Sequence, residues 1–140
     1  MWFLSNKKDL GLLIIRIGFG FGFIYFHGWG KLMDGPERWE RVGGAMANIG
    51  IGFGHTFWGF MAALTETLGA LMFAAGLFFR PVSLLLAFTM LIAIISHISS
   101  GRGNPGNALK NISLFIGAYF IGPGKYSMDE WIKKKRKAKD

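Results

Sequence analysis

The residues able to do chemistry in this sequence are few, and most lie in apolar surroundings. Glu66 sits inside the stretch M-A-A-L-T-E-T-L-G-A-L-M-F-A-A-G-L-F-F-R-P, Met61 to Pro81. A carboxylate in such a setting is costly unless it has a partner. Arg16 lies within the first apolar run, and ionisable groups inside membrane spans are functional candidates by default. At a rise of about 1.5 Å per residue, Arg16 falls roughly 9 Å in from the inner end of the first span and Glu66 near the middle of the second, a gap under about 10 Å. The expectation is a buried Arg16–Glu66 ion pair, serving either helix register or proton supply.

His27 follows Arg16 by 11 residues, a spacing that returns to the same helix face within about 20°. His97 lies near the end of the third apolar segment, Asn107 and Asn111 share a face of the fourth, and His55 opens the second. If every polar face turns inward, these groups line one aromatic-walled cavity that opens outward, with Arg16 and Glu66 at its floor. The three histidines have no i, i+4 pairing and the chain has no cysteine, so no metal site is expected. His27 and His97 on facing helices could flank a haem, but one matched pair is common by chance, and a b-type haem is disfavoured. No catalytic residue is identified.

Four apolar segments must position these groups, over residues 10–32, 53–79, 81–98 and 108–121. A membrane-crossing helix needs roughly 20 apolar residues, and the fourth segment is short of that. Arg80-Pro81 breaks the second segment from the third, because proline opens a helix well and continues one badly. The first run carries Arg16 and lacks a small-x-small cleavage site, so it reads as a retained membrane helix rather than a signal peptide. Between the first two segments, Trp39, Val42, Met46 and Ile49 recur at helical spacing after Asp34 and Pro36, which predicts a short amphipathic interfacial helix able to cover a pocket.

The fold class is therefore all-α: a single membrane domain, residues 1–140, forming a four-helix transmembrane bundle. The composition agrees, with 51% hydrophobic and 17% charged residues among 140. The absence of cysteine removes disulfides, thiolate nucleophiles and Cys-ligated clusters. Much of the net charge of +8 comes from the last few residues, in the basic tail 125–140. Beside a membrane helix such a tail sets topology and touches anionic headgroups, so no nucleic-acid partner is expected. With four crossings, most Lys and Arg fall on the side of the termini, which the positive-inside rule makes cytoplasmic. The stretch G-R-G-N-P-G, Gly101 to Gly106, follows a membrane helix rather than a strand and reads as a turn, not a dinucleotide site.

Several motifs together resemble the DoxX family. H-G-W-G-K at His27–Lys31 is similar to the H-G-x-x-K ending of that family's first helix. Glu66 with the following G-A-L-M-F-A-A-G-L-F-F-R-P resembles its E-x-x-G-G…G-L-x-x-R-x motif, and His97 ends a third helix as in the family. G-P-G-K-Y-S-M-D at Gly122–Asp129 resembles its G-P-G-x-x-S-x-D finish. The resemblance runs over about Leu10 to Asp129 and adds Lys31 to the cavity candidates. It implies a small four-helix protein of the bacterial-type inner membrane, linked to oxidoreductase systems, with quinone as the cofactor to consider. Soluble oxidoreductase or sulfurtransferase subunits are the implied protein partners, and a homo-oligomer stays open. Many relatives carry an acidic residue at the start of the fourth helix, where this chain has Asn107, Lys110 and Asn111. The functional expectation is a quinone-interacting subunit or accessory of a membrane oxidoreductase. The alternative is a non-enzymatic scaffold or small-solute permease using the same cavity.

Overall fold

The computed structural model describes residues 2–139, with side chains from residue 7 to 139. The described residues form helices and connecting turns, with no strand among them. The first long rod comprises α1 (Trp2–Phe23), a π-helical turn (Ile24–Gly28) and α2 (Trp29–Met33). The amphipathic segment forms α3 (Pro36–Gly43) and a 3-10 turn (Gly44–Ile49). The second rod is α4 (His55–Leu64), a second π-helical turn (Thr65–Gly69) and α5 (Ala70–Ala75). Then follow α6 (Phe79–Ser100), α7 (Pro105–Ile121) and α8 (Met128–Lys137). Among the described residues, three helices are long and apolar enough to cross a membrane: Lys7–Met33, His55–Ala75 and Phe79–Ser100.

Helix ends follow local chemistry. The second rod stops earlier than the apolar run does, because Gly76 takes a left-handed conformation at φ 68° and closes the helix. The helix α6 opens at Phe79, with Pro81 in its first turn. The helix α7 begins before the apolar segment: Asn104 accepts a hydrogen bond from Asn107 N, and Pro105 stands at the first helical position. The basic tail is not merely a charge run. Ser127 accepts from Glu130 N and caps α8, which presents Met128 and Trp131 beside its lysines.

The core gathers where the long helices meet. Phe23, Phe73, Phe79, Leu86, Met90 and Phe115 are buried together. Phe115 meets Phe19, Phe23 and Phe73 edge-on at centroid distances of 5.3, 5.4 and 5.4 Å, the geometry that aromatic quadrupoles favour. Small residues fix the register of the first two rods. A Cβ on Gly20 would lie 2.7 Å from Ala74 Cβ, and one on Gly28 would lie 2.5 Å from Glu66 O. Backbones this close need glycine.

The helix α3 stands against α4. A Cβ on Gly43 would strike the His55 carbonyl, and one on Gly59 would strike the backbone of Trp39. Trp39 also packs on Phe60 at 4.9 Å and donates its indole N–H to Lys31 O at 2.9 Å. The first rod therefore ends beside the middle of the second, not beside its start.

Candidate functional site

The register just described decides what Glu66 meets. Lys31 Nζ lies 2.9 Å from Glu66 Oε1 and 2.6 Å from Oε2. Glu66 is 1% exposed, and the Lys31 side chain 22%. The expected Arg16–Glu66 pair does not form. Gly28 opposes Glu66 while Arg16 opposes Ala74, and the 12 residues between Arg16 and Gly28 amount to about 18 Å of helix.

Both partners of the ion pair depend on irregular backbone. Glu66 is within the π-helical turn Thr65–Gly69, and Lys31 is one turn beyond the turn Ile24–Gly28. The two π turns touch through Gly28 and Glu66. Such turns widen a helix by one residue and recur at functional sites. Here they let a short glycine contact and a lysine from the same rod address one carboxylate.

Above the pair, α4 and α6 separate. The helix α6 packs on the turn Thr65–Gly69 and on α5, while the 3-10 turn bridges the gap. The space between is a cavity of about 500 Å³, within the range of small-molecule sites. Lys31 and Glu66 stand at its deep end, and Arg41, Ser96 and His97 line it farther out. Phe57, Trp58, Met61, Phe88 and Ile92 supply most of the wall, with Val42 from α3 and Met46 from the 3-10 turn.

The seven candidates do not converge on one cavity. Lys31, Glu66 and His97 line this one; Arg16, His27, Asn107 and Asn111 do not. His27 stacks on Phe23 at 4.6 Å and approaches Asn107 Nδ2 through Nε2 at 3.3 Å, on the side of α7. His27 and His97 therefore do not flank a common space. Asn111 is buried and points its amide at Met90 S, 3.7 Å away. His55 sits under α3 with its Nε2 buried and unpartnered, as is His27 Nδ1. Among the described residues no cluster of three His, Asp or Glu could hold a metal.

Arg16 has a different task. Its guanidinium donates to Ala74 O at 3.3 and 3.2 Å, to Tyr126 O at 3.1 Å and to Pro123 O. It thus ties the first rod to the last turn of α5 and to the segment before α8. Asp129 completes this knot, accepting from Phe78 N and Phe79 N at 2.9 Å each. Phe78 has φ 44°, a left-handed conformation that costs a non-glycine residue on the order of 1–3 kcal/mol. The Asp129 carboxylate holds that turn and caps α6 together. Asp129 and Ser127 were visible in the S-x-D finish, and Ser127 with Glu130 carries the S-x-x-E signature of a helix start. Trp39 was marked by the helical spacing of the segment after Pro36, whereas Arg41 and Thr65 had no comparable signal.

The fold and the site define an all-helical membrane protein with several candidate spans and a polar pair sunk beneath an apolar cavity. The DoxX family profile matches residues 11–98, and the chain belongs to the DoxX family. The match takes in the first three apolar helices, the ion pair and His97, and leaves α7 and the Arg16–Asp129 knot's C-terminal half outside it. No curated protein and no solved structure is matched by the chain.

Proposed function

We propose that this protein is a quinone-interacting subunit or accessory of a membrane oxidoreductase. In this reading it resides in a bacterial-type inner membrane, crosses it four times with α7 as the fourth span, and keeps both termini cytoplasmic. The observation that carries it is the cavity between α4 and α6 (about 500 Å³) with donors separated along its length. A quinone ring is flat and apolar with two carbonyl oxygens. Phe57, Trp58 and Phe88 offer surfaces for the ring, Lys31 a donor at the deep end, and His97 or Arg41 a donor farther out. With Lys31 bound to it, Glu66 provides a carboxylate beside the deep carbonyl, a group able to hold or pass a proton there. The electron donor would come from a partner subunit, since the chain has no cysteine.

The test is quinone binding to the purified protein in detergent, wild type beside His97→Ala and Asn107→Ala. Saturable binding that His97→Ala weakens at least tenfold, about 1.4 kcal/mol, supports the proposal, with Asn107→Ala unchanged. Absence of saturable binding to folded wild type refutes it.

A further inference from the structure

The cavity is open sideways. Four apolar wall residues are strongly exposed: Phe57 at 57%, Met61 at 37%, Leu85 at 56% and Phe88 at 49%. Two belong to α4 and two to α6, so they form the lips of a slit between those helices. No charged residue stands among them. Leu86, next to Leu85, packs beside Gly69, which sets the slit at the level of Glu66 and outward. The helices on both sides are membrane-span candidates, and hydrocarbon chains are therefore what the slit faces.

We infer that the cavity takes a lipid-tailed ligand directly from the bilayer: a quinone whose ring lies toward Lys31–Glu66 and whose isoprenoid tail leaves through the slit between α4 and α6. The inference rests on the quinone reading and adds the tail, the orientation and the route. Two features fix the orientation. The charged groups and the imidazole of the site lie away from the lips, and the one polar side chain beside them, Thr89, donates its hydroxyl to Leu85 O at 3.0 Å. A polar ring stalled at the slit would lose hydrogen bonds to water and gain none. A tail drawn into the cavity would leave the ring in hydrocarbon with the same penalty, whereas a tail in the slit stays in contact with lipid and apolar side chains. The distance from Leu85 to His97, 12 residues of α6, is about 18 Å, room for a ring and the first part of a tail.

The experiment uses the full chain in lipid nanodiscs with two probes: a quinone carrying a photoreactive group on a long isoprenoid tail, and the same ring with only a methyl substituent. Labelling should concentrate on residues 57–61 and 85–88, and excess methyl-substituted ring should remove it at least fivefold. A Leu85→Trp variant, which narrows the slit, should lower tail labelling at least fivefold, and by a larger factor than any loss of small-ring binding; an equal or smaller loss of tail labelling overturns the route. Labelling spread evenly over lipid-facing residues such as Ile14 and Phe120, unmoved by the small ring, overturns the route. Labelling at the slit that the small ring does not displace overturns the orientation. Binding of the small ring with no tail labelling at all also overturns the inference, as when a second copy of the chain seals the slit. If the small ring itself fails to bind, the quinone reading falls and this inference with it.

Discussion

Removing Lys31 strands a carboxylate. Lys31→Met deletes both charge-assisted bonds to Glu66, at 2.9 and 2.6 Å, and leaves a side chain 1% exposed without its bonded cation. Breaking one side of a buried pair costs about 3–5 kcal/mol, whereas replacing both partners by apolar residues of similar volume is often near neutral. Glu66→Leu in the Lys31→Met background should therefore restore much of the loss. The double-mutant cycle should give a coupling of at least about 2 kcal/mol, read from denaturant unfolding in mixed micelles followed by far-UV circular dichroism. The control cycle pairs Arg16→Met with Glu66→Leu. Both sites matter for stability there, but they share no bond, and the coupling should stay below about 0.5 kcal/mol. A Lys31–Glu66 coupling below that figure, or an Arg16–Glu66 coupling above the Lys31 value, would refute the assignment of the pair.

Two further outcomes follow from the packing. Gly28→Ala places a methyl 2.5 Å from Glu66 O and 2.6 Å from Thr67 Oγ1, so the rods must part, at a cost of about 1–3 kcal/mol in the same unfolding assay; an unchanged midpoint contradicts the close approach. Asp129→Ala removes the acceptor for Phe78 N and Phe79 N and should destabilise by at least about 1 kcal/mol, the usual scale of a lost cap. Limited proteolysis should then cut near residues 123–127 faster than in wild type, while equal rates would separate Asp129 from the order of that segment.

The helices were legible in hydropathy because lipid admits few alternatives: an apolar run of span length must satisfy its own backbone, and helix does so. Helix ends were less legible where a single residue decides them, as Gly76 does for the second rod and Asn104 for α7. The site was misread for a geometric reason. Uninterrupted α-helix turns about 100° per residue, which sets Gly20 and Gly28 about 80° apart and brings His27 into phase with Arg16. The π turn Ile24–Gly28 absorbs one residue, so Gly28 behaves as though seven positions from Gly20, within about 20°. Gly28 and Lys31 are thereby turned to the second rod, and His27 to Asn107. Nothing in the residue types of I-Y-F-H-G announces that extra residue. Depth differs as well, because α3 stands beside α4 and offsets the end of the first rod from the start of the second.

Arg16 bonds to Pro123 and Tyr126, partners 107 and 110 positions later in the chain. During synthesis at about 5–20 residues per second, the guanidinium waits roughly 5–20 s after entering the membrane for those carbonyls to be made. The turn at Phe78 waits likewise for Asp129, 51 positions on. The end of the bundle that holds Arg16 can close only once residues 123–129 have been made, so this segment acts as a completion check on assembly. A ribosome that stops before it releases a protein with its membrane helices in place and an arginine missing two of its three carbonyl acceptors.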